Sequence, residues 1–541
     1  MKITFVAIGS EQLSISLLSA LAKQEGHKVS LAFSAGLFHD RYNLEIPWLA
    51  KYFDDSKKVI EKIEQLQPDA IAFSVITSTY QWSLEIAREA KKILPQVKVI
   101  FGGVHVSAVP DRVINRPEVD FVVVGEGEIA FPQILKAIEF NNQTTAIPNT
   151  RFRDNTGLII RGVQVGFNQD LDTLPGYDKS IWEEYIRIED KYLTMASRGC
   201  PYRCTFCFNN FFAELPEGIK GKYVRLRSPQ HMMNELRAAK KRYPKLRVVD
   251  FQDDVFTTSK IWLKEFLPLY KAEIGVPFQC LTHPQYMDDE IAQLLKDAGC
   301  IWVQMGVQTM DEEYKKKNLR RYERSDNVLK ASRAMNKAGL RSKFDHMLGL
   351  PGEPMEAQEK ALELYVQETP HRIQIYWTCF LPGTEIMKEG LEQGIISESD
   401  IERLNEGIDF YFFRNAENIK NPEQVKLYFL YEVIFKLLPV MPRFIKQKIK
   451  PHHIKWLPKW LGSFLVNTAD LITGFWWGNM DFYAYMRYYL FHLRRFAAVT
   501  IGLSAPIATK PNIDTDEFTG HSHRPETVSS SLKKRMTLEK A

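Results

Sequence analysis

Cysteine is scarce in this chain, with 6 among 541 residues, and it is unevenly placed. So few thiols exclude a disulfide-stapled secreted scaffold. They read as a chain from a reducing, cytoplasmic compartment, where clustered cysteines serve metal or redox chemistry. Long apolar runs are also missing. No segment reaches about 18 uninterrupted apolar residues, so no spanning helix is expected. Met1 leads directly into a strand-like stretch rather than a leader. Excess charge of one sign is absent as well: the net charge is +5, which gives no whole-chain case for nucleic-acid binding. No internal repeat of 20–50 residues is visible. What remains is a globular composition, 45% hydrophobic and 25% charged, long enough for three or four domains.

From residue 1 to about 140, short apolar runs at 3–8, 70–75, 97–101 and 121–124 alternate with amphipathic stretches such as 82–94. This alternation predicts an α/β domain with a doubly wound, Rossmann-like or flavodoxin-like parallel sheet. Ligands of such sheets bind at the carboxyl ends of the strands. Residues 141–190 are rich in Asn, Thr, Asp and Gly and read as a linker with a hairpin. Between 191 and 390, apolar runs recur at 193–196, 246–251, 278–281, 301–307, 343–348 and 373–378. Helix-like stretches such as 287–298 and 327–338 separate them. Six such repeats predict a partial (β/α)6 TIM-like barrel, with its chemistry at the C-terminal strand ends. Residues 391–504 predict a mainly helical domain, and the polar 505–541 a disordered tail.

Half of the cysteines fall in Cys200-Pro201-Tyr202-Arg203-Cys204-Thr205-Phe206-Cys207, just after the first expected barrel strand. Thiolates at this spacing can hold one soft metal centre. A structural zinc site is one reading, with His283, Cys280 or Cys379 as the fourth ligand. Three cysteines on a [4Fe–4S] cluster are the other, leaving one iron open to a small molecule. The remaining Cys280, Cys300 and Cys379 read as buried small hydrophobes, with Cys379 alternatively facing the barrel mouth.

The C-x3-C-x2-C triplet, with Phe206 before its last cysteine, resembles the radical S-adenosylmethionine superfamily. The resemblance implies that Cys200, Cys204 and Cys207 hold the cluster and that the methionyl amine and carboxylate of S-adenosylmethionine chelate the open iron. Reductive cleavage then yields a 5′-deoxyadenosyl radical. Phe206 is implied near the adenine. Asp253 and Asp254, after the second strand, are implied at the methionyl amine. Gln308 and Thr309 end the fourth strand and resemble a ribose-binding pattern, with Gln in place of the usual Glu. Gly349, in Gly349-Leu350-Pro351-Gly352-Glu353, and Pro382, in Pro382-Gly383-Thr384, resemble the turns after strands five and six. In order behind the cysteines, these pieces form one consistent set.

The first domain carries Ser74, then Gly102-Gly103-Val104, then Gly125-Glu126-Gly127-Glu128, each at an expected strand end. Their order resembles the cobalamin-binding domain that precedes many radical S-adenosylmethionine barrels. This implies that Ser74, Gly102, Gly103, Val104, Gly125, Glu126 and Glu128 surround cobalamin. The Asp-x-His-x-x-Gly motif that supplies a lower cobalt ligand is missing, and neither His39 nor His105 replaces it. The family reading implies methyl transfer to an unactivated carbon, with one S-adenosylmethionine methylating the cobalamin and a second supplying the radical. Oxidative cyclisation or other bond formation is the alternative enzymatic outcome. A cobalamin- or redox-sensing protein without turnover is the non-enzymatic one. An electron donor such as flavodoxin or ferredoxin is implied.

Between 428 and 495, Trp456, Trp460, Trp476 and Trp477 stand among lysines and arginines. That pattern fits either a helical lid over the barrel or a peripheral contact with the inner face of an anionic membrane. The second reading makes a hydrophobic or lipid-like small-molecule substrate attractive.

Overall fold

The computed structural model describes residues 1–541 except 41–43, 142–145, 155, 216–220, 409–421, 459, 477–479 and 512–541. The first sheet contains β1 (Lys2–Ile8), β2 (Lys28–Ser34), β3 (Ala70–Ser74), β4 (Lys98–Gly102) and β5 (Phe121–Val123). These strands are parallel and lie in the order β2-β1-β3-β4-β5. Strands covered on both faces need apolar residues on both, and β1 supplies them. Ile3, Phe5 and Ala7 pack with residues of helices Leu13–Gln24 and Ala130–Glu139. Val6 packs with those of helices Ser56–Leu66 and Tyr80–Ile93. The chain reverses direction across the sheet between β1 and β3, the place where such sheets bind ligands. β2 stands out less in the sequence because Lys28, Ser30 and Ser34 interrupt its apolar residues.

The hairpin expected in the linker is β6 (Thr150–Arg153) and β7 (Ile159–Arg161). It extends the first sheet antiparallel to β5, with Phe152 stacked on Phe121.

The second sheet runs in chain order through β8 (Tyr192–Thr194), β9 (Val249–Phe251), β10 (Phe278–Thr282), β11 (Cys300–Gln308), β12 (Arg341–Leu348) and β13 (Arg372–Trp377). All its pairings are parallel, and among the described residues β13 does not pair with β8, so the barrel is open. In β11, Val303, Met305 and Val307 are buried in the apolar core. Alternation turns Trp302, Gln304, Gly306 and Gln308 to the opposite face.

The chain closes with helices Pro422–Leu437, Trp460–Trp476 and Met480–Thr500. The last of these reaches back to the first domain. Tyr488 Oη donates to the Ala35 carbonyl at 2.8 Å, and Tyr489 Oη accepts the Phe38 N–H at 3.1 Å. The loose tail expected from 505 does not begin there. Thr509 Oγ1 donates to Ile186 O at 2.7 Å and accepts the Ile188 N–H at 2.9 Å, pinning the chain through a buried hydroxyl. The rest of that tail lies outside the described residues. No helix among them is long and apolar enough to cross a membrane.

Candidate active site

The cysteine loop starts where Ser197–Arg198 pairs antiparallel with Arg225–Leu226. Gly199 follows with φ +83°, and a Cβ there would lie 2.3 Å from the Tyr223 carbonyl oxygen, so only glycine fits the turn. The loop ends at helix Phe208–Glu214, where the Cys207 sulfur accepts the Asn209 N–H at 3.4 Å. Cys204 is buried, and Cys200 and Cys207 are half-buried. Burial pushes the Cys200 thiol up to about 12 and Cys207 up to about 11, with Cys204 and Asp254 adding to the rise of both. Bare thiolates are therefore disfavoured here, and a cationic iron cluster would reverse the balance.

Among the described residues, no three His, Cys, Asp or Glu side chains converge on one ion position. A cubane cluster needs no such convergence, because each thiolate meets a different iron. Of the candidate fourth ligands of a zinc site, Cys280 bonds Cys300 and the Cys379 thiol points at the Trp377 carbonyl, while His283 stacks on Tyr202 at 3.8 Å with its Nε2 turned to Glu323 at 3.5 Å. The donor set fits a three-cysteine cluster.

The other implied positions gather at the same end of the barrel, and they divide into two kinds. Asp254 accepts from Asn209 Nδ2 at 2.8 Å and faces Cys200 and Cys207. Asp253 is instead taken up by the end of β8. It accepts the Ala196 N–H at 3.0 Å and the Ser197 hydroxyl at 2.5 Å, and full burial pushes it up to about 6. Gln308 adopts φ +67° at a register shift ending β11. Thr309 is completely buried and bonds Glu353, so its hydroxyl serves the interior. Gly349 takes φ +74° after β12. Pro382 leads into Gly383, whose Cβ position lies 3.2 Å from Phe211 and 3.3 Å from Ala108. That turn joins the cysteine-loop helix to the first domain. Phe206 packs half-buried on the core.

Reading the sequence for motifs missed a buried ionic group behind Cys204. The Arg321 guanidinium bonds the Cys204 thiol, the Gly306 carbonyl at 2.7 Å and Glu323 at 2.7 Å. Lys315 and His283 also face Glu323, at 3.6 and 3.5 Å. Burial alone would raise Glu323, but His283, Arg321 and Lys315 hold it down at about 2. These residues sit in no local motif, so no spacing announces them.

In the first domain Ser74 and Gly102 are register partners at the carboxyl ends of β3 and β4. A Cβ on Gly103 would lie 2.6 Å from the Val75 backbone, so this glycine lets the two strand ends meet. Val104 opens the short helix that follows, and the Gly125 N–H donates to Ser107 Oγ at 2.9 Å. The result is a ledge of small residues along the carboxyl ends of β3, β4 and β5, beside the topological switch of the sheet, a fit for a broad flat cofactor. His105 is withdrawn from it. It is fully buried, bonds Thr77 and packs on Tyr80, and burial lowers it to about 4. His39 is exposed. Glu126 and Glu128 also have another task. Glu126 takes two hydrogen bonds from Arg225, at 2.7 and 2.9 Å, and both glutamates pair with Arg198. They clamp the ledge to the cysteine loop.

Comparisons with known proteins agree with this division. The B12 binding domain family matches residues 11–135, and the Radical SAM superfamily matches residues 195–365. An uncharacterised methyltransferase of Pyrococcus horikoshii is 24% identical over 70% of this chain and 82% of its own length. The cytidylyl-2-hydroxyethylphosphonate methyltransferase of Streptomyces wedmorensis is 22% identical over 72% and 79%. The anaerobic magnesium-protoporphyrin IX monomethyl ester cyclase of Rubrivivax gelatinosus is 22% identical over 60% and 58%. In fold, the chain is similar to the cobalamin-dependent S-adenosylmethionine radical enzyme OxsB. The TM-score is 0.61 at 14% identity, over 90% of this chain and 83% of that one. The chain belongs to the radical S-adenosylmethionine superfamily, in the group whose barrel follows a cobalamin-binding domain, with a [4Fe–4S] cluster, S-adenosylmethionine and cobalamin as its cofactors.

Proposed function

We propose that this protein is a methyltransferase acting on an unactivated carbon of a small molecule. One observation carries the reading: the ledge of the first domain and the cysteine loop of the barrel are held face to face by Glu126 and Glu128 on one side and Arg198 and Arg225 on the other. A methyl donor on the ledge and a radical source on the loop must reach one substrate carbon, and such a clamp fixes their separation. When bound, the cofactors supply a hydrogen-abstracting radical and a transferable methyl group. The chain's own residues position and enclose. Cys200, Cys204 and Cys207 anchor the cluster, and Asn209 hydrogen-bonds the Cys207 sulfur. Asp254 presents a carboxylate towards the loop, suited to an ammonium. The Pro382–Gly383 turn, packed on Phe211 and Ala108, keeps water from the seam between the domains.

The similarity to two methyltransferases supports methyl transfer over cyclisation, because both are covered over more of their length than the cyclase. The test is anaerobic reconstitution with iron, sulfide and hydroxocobalamin, followed by turnover with S-adenosylmethionine bearing a trideuterated methyl group. About four irons per chain, retained cobalamin and a product bearing the label are expected. A product that has lost hydrogens and carries no label would select the cyclase reading. Loaded protein that never forms 5′-deoxyadenosine would select the sensor.

We also propose a peripheral contact with anionic membranes through 428–495. Trp456 and Phe444 are 79% and 66% exposed, beside Arg443, Lys448 and Lys450. Pelleting with anionic vesicles at low salt, lost in Trp456→Ala/Phe444→Ala, is the expected result.

A further inference from the structure

Barrel interiors are ordinarily packed with branched apolar side chains. This one is not. Inside it lies a chamber of about 150 Å³ whose lining includes Lys191, Asp250, Gln279, Trp302, Gln304 and Asp481. The polar residues alternate with the apolar ones that face the helices, so the sequence has set its polar face inward. The chamber lies deeper in the barrel than the cluster site and leads up to it. Gln304 precedes Gln308 by four strand residues, about 13 Å along β11. At its upper end, Gln252 directly precedes Asp253 and Asp254.

Its floor is brought in from the C-terminal helix. Asp481, in the first turn of helix Met480–Thr500, pairs with Lys191 at 3.2 Å and Lys343 at 3.3 Å and accepts from Gln279 Nε2 at 3.0 Å. Lys191 also pairs with Asp250 at 3.1 Å. The two lysines are thus matched by two carboxylates, and the chamber offers no net charge. What it does offer is neutral hydrogen bonding. Gln304 is fixed by two bonds from its Nε2 to Asp345, at 2.8 and 3.0 Å. The indole N–H of Trp302, a residue 96% buried against solvent by its 4% exposure, has no hydrogen-bond partner among the described residues. Burying polar groups in place of a packed apolar core costs stability, and natural chains keep such costs at functional positions.

We propose that this chamber binds the substrate, and that the substrate is a small, neutral, water-soluble molecule bearing hydroxyl or amide groups. The inference rests on the enzymatic reading above and narrows its substrate class. The polar lining selects against lipids and tetrapyrroles. Trp302 donates to a substrate oxygen, the glutamines select hydroxyl or amide groups, and Asp481 seals the floor.

The test uses the reconstituted full-length protein with trideuterated-methyl S-adenosylmethionine. The water-soluble and chloroform-soluble small-molecule fractions of the cells that make the protein are offered separately. Stimulation of 5′-deoxyadenosine formation by the water-soluble fraction supports the proposal. Stimulation by the chloroform-soluble fraction alone, or by neither, overturns it. Stimulation without label transfer would leave the chamber standing while refuting methyl transfer, so the two readings fail separately. Trp302→Phe should raise the half-saturating amount of the active fraction about tenfold, as for one lost buried hydrogen bond, with iron content and melting temperature held. Gln252→Ala is the second variant: the side chain lines the upper end of the chamber and its removal strands no buried partner, so it should melt like the parent and lose the same response. An unchanged response in both variants overturns the proposal.

Discussion

Arg225 grips Glu126 through two parallel hydrogen bonds, Nη2 to Oε1 at 2.7 Å and Nη1 to Oε2 at 2.9 Å, across the boundary between the first domain and the barrel. Burial pushes the Glu126 carboxyl up, but the Arg225 bonds and the charges of Arg198 and Arg225 outweigh it and hold the group below its ordinary value of 4.5. A lowered carboxyl stabilises the fold above the unfolded-state pKa, and that contribution is lost as pH falls through the folded-state value. Removing one partner strands the other charge in a largely buried site, at a cost of about 3–5 kcal/mol. Glu126→Ala and Arg225→Ala should each lower the melting temperature at pH 7, with the difference from the parent shrinking under acid. The double variant should cost less than the sum of the two. Strict additivity in this cycle would mean that the pair does not hold the domains together.

A second expectation concerns Arg321. Its guanidinium meets the Cys204 sulfur, and a positive charge beside a cluster ligand stabilises the more negative, reduced state. Arg321→Gln should therefore make the midpoint potential of the loaded cluster more negative, while Arg321→Lys should retain much of the parent value. The measurement is a redox titration followed by electron paramagnetic resonance at matched iron content. Equal potentials in all three proteins would show that Arg321 only braces Glu323 and the Gly306 carbonyl.

The parts of this molecule that obey local rules could be read from the sequence. Runs such as 70–75 and 121–124 announce strands because strands covered on both sides must be apolar on both faces. Cys200, Cys204 and Cys207 announce a metal loop because their spacing is itself the chemistry. Glu126 and Glu128 were legible as strand-end residues, but not as a clamp. Their partners Arg198 and Arg225 lie at least 70 residues away, and the pairing exists only after two domains dock. Arg321 and Glu323 belong to no local motif, and their role shows only where the folded barrel sets Arg321 against Cys204 and His283 against Glu323. Asp253 and Asp254 are adjacent in sequence and alike in type, yet alternation along the backbone sends one to the end of β8 and the other to the thiols. Asp481 looks like an ordinary first-turn acid of a helix until that helix is seen to begin against Lys191 and Lys343 of the barrel. Thr509 sits in a stretch polar enough to read as disordered, and only its partners at Ile186 and Ile188 fix it.

A pH dependence follows from Glu353. Full burial raises its carboxyl to about 8, against bonds from Thr309 and Gln358 that favour the charged form. Gln358 Nε2 donates to it at 2.9 Å, and the Gln358 carbonyl oxygen in turn meets His346 Nε2 at 2.8 Å. The folded state therefore holds a proton on Glu353 that the unfolded chain has released by pH 7. The associated stability is present below the unfolded-state pKa and is lost as pH rises towards 8, by at most about 1.4 kcal/mol per pH unit. Glu353→Gln keeps the acceptor for Gln358 without an ionisable proton. It should flatten the fall in melting temperature between pH 5 and pH 8 (about the interval between the two pKa values), and an undiminished slope would assign that fall to other groups.

The last expectation separates the shape of the cysteine loop from its ligands. Gly199 stands at φ +83°, with its missing Cβ 2.3 Å from the Tyr223 carbonyl oxygen. Tyr223 cannot simply yield, because its hydroxyl donates to Asn209 Oδ1 and its ring lies under the Arg203 guanidinium. Asn209 in turn bonds both the Cys207 sulfur and Asp254. Gly199→Ala must therefore displace the Arg198–Cys200 turn, since alanine at positive φ is strained even where space is free. All three cysteines remain in this variant, so a site defined by ligand identity alone would still fill. Reconstituted Gly199→Ala should instead hold well under half the iron of the parent, approaching the Cys200→Ala/Cys204→Ala/Cys207→Ala variant. The far-ultraviolet circular dichroism of the apoprotein should match that of the parent. Full iron loading would show that the loop closes around the cluster whatever path leads into it, and that the clamp between Arg198 and the glutamates does not depend on that turn.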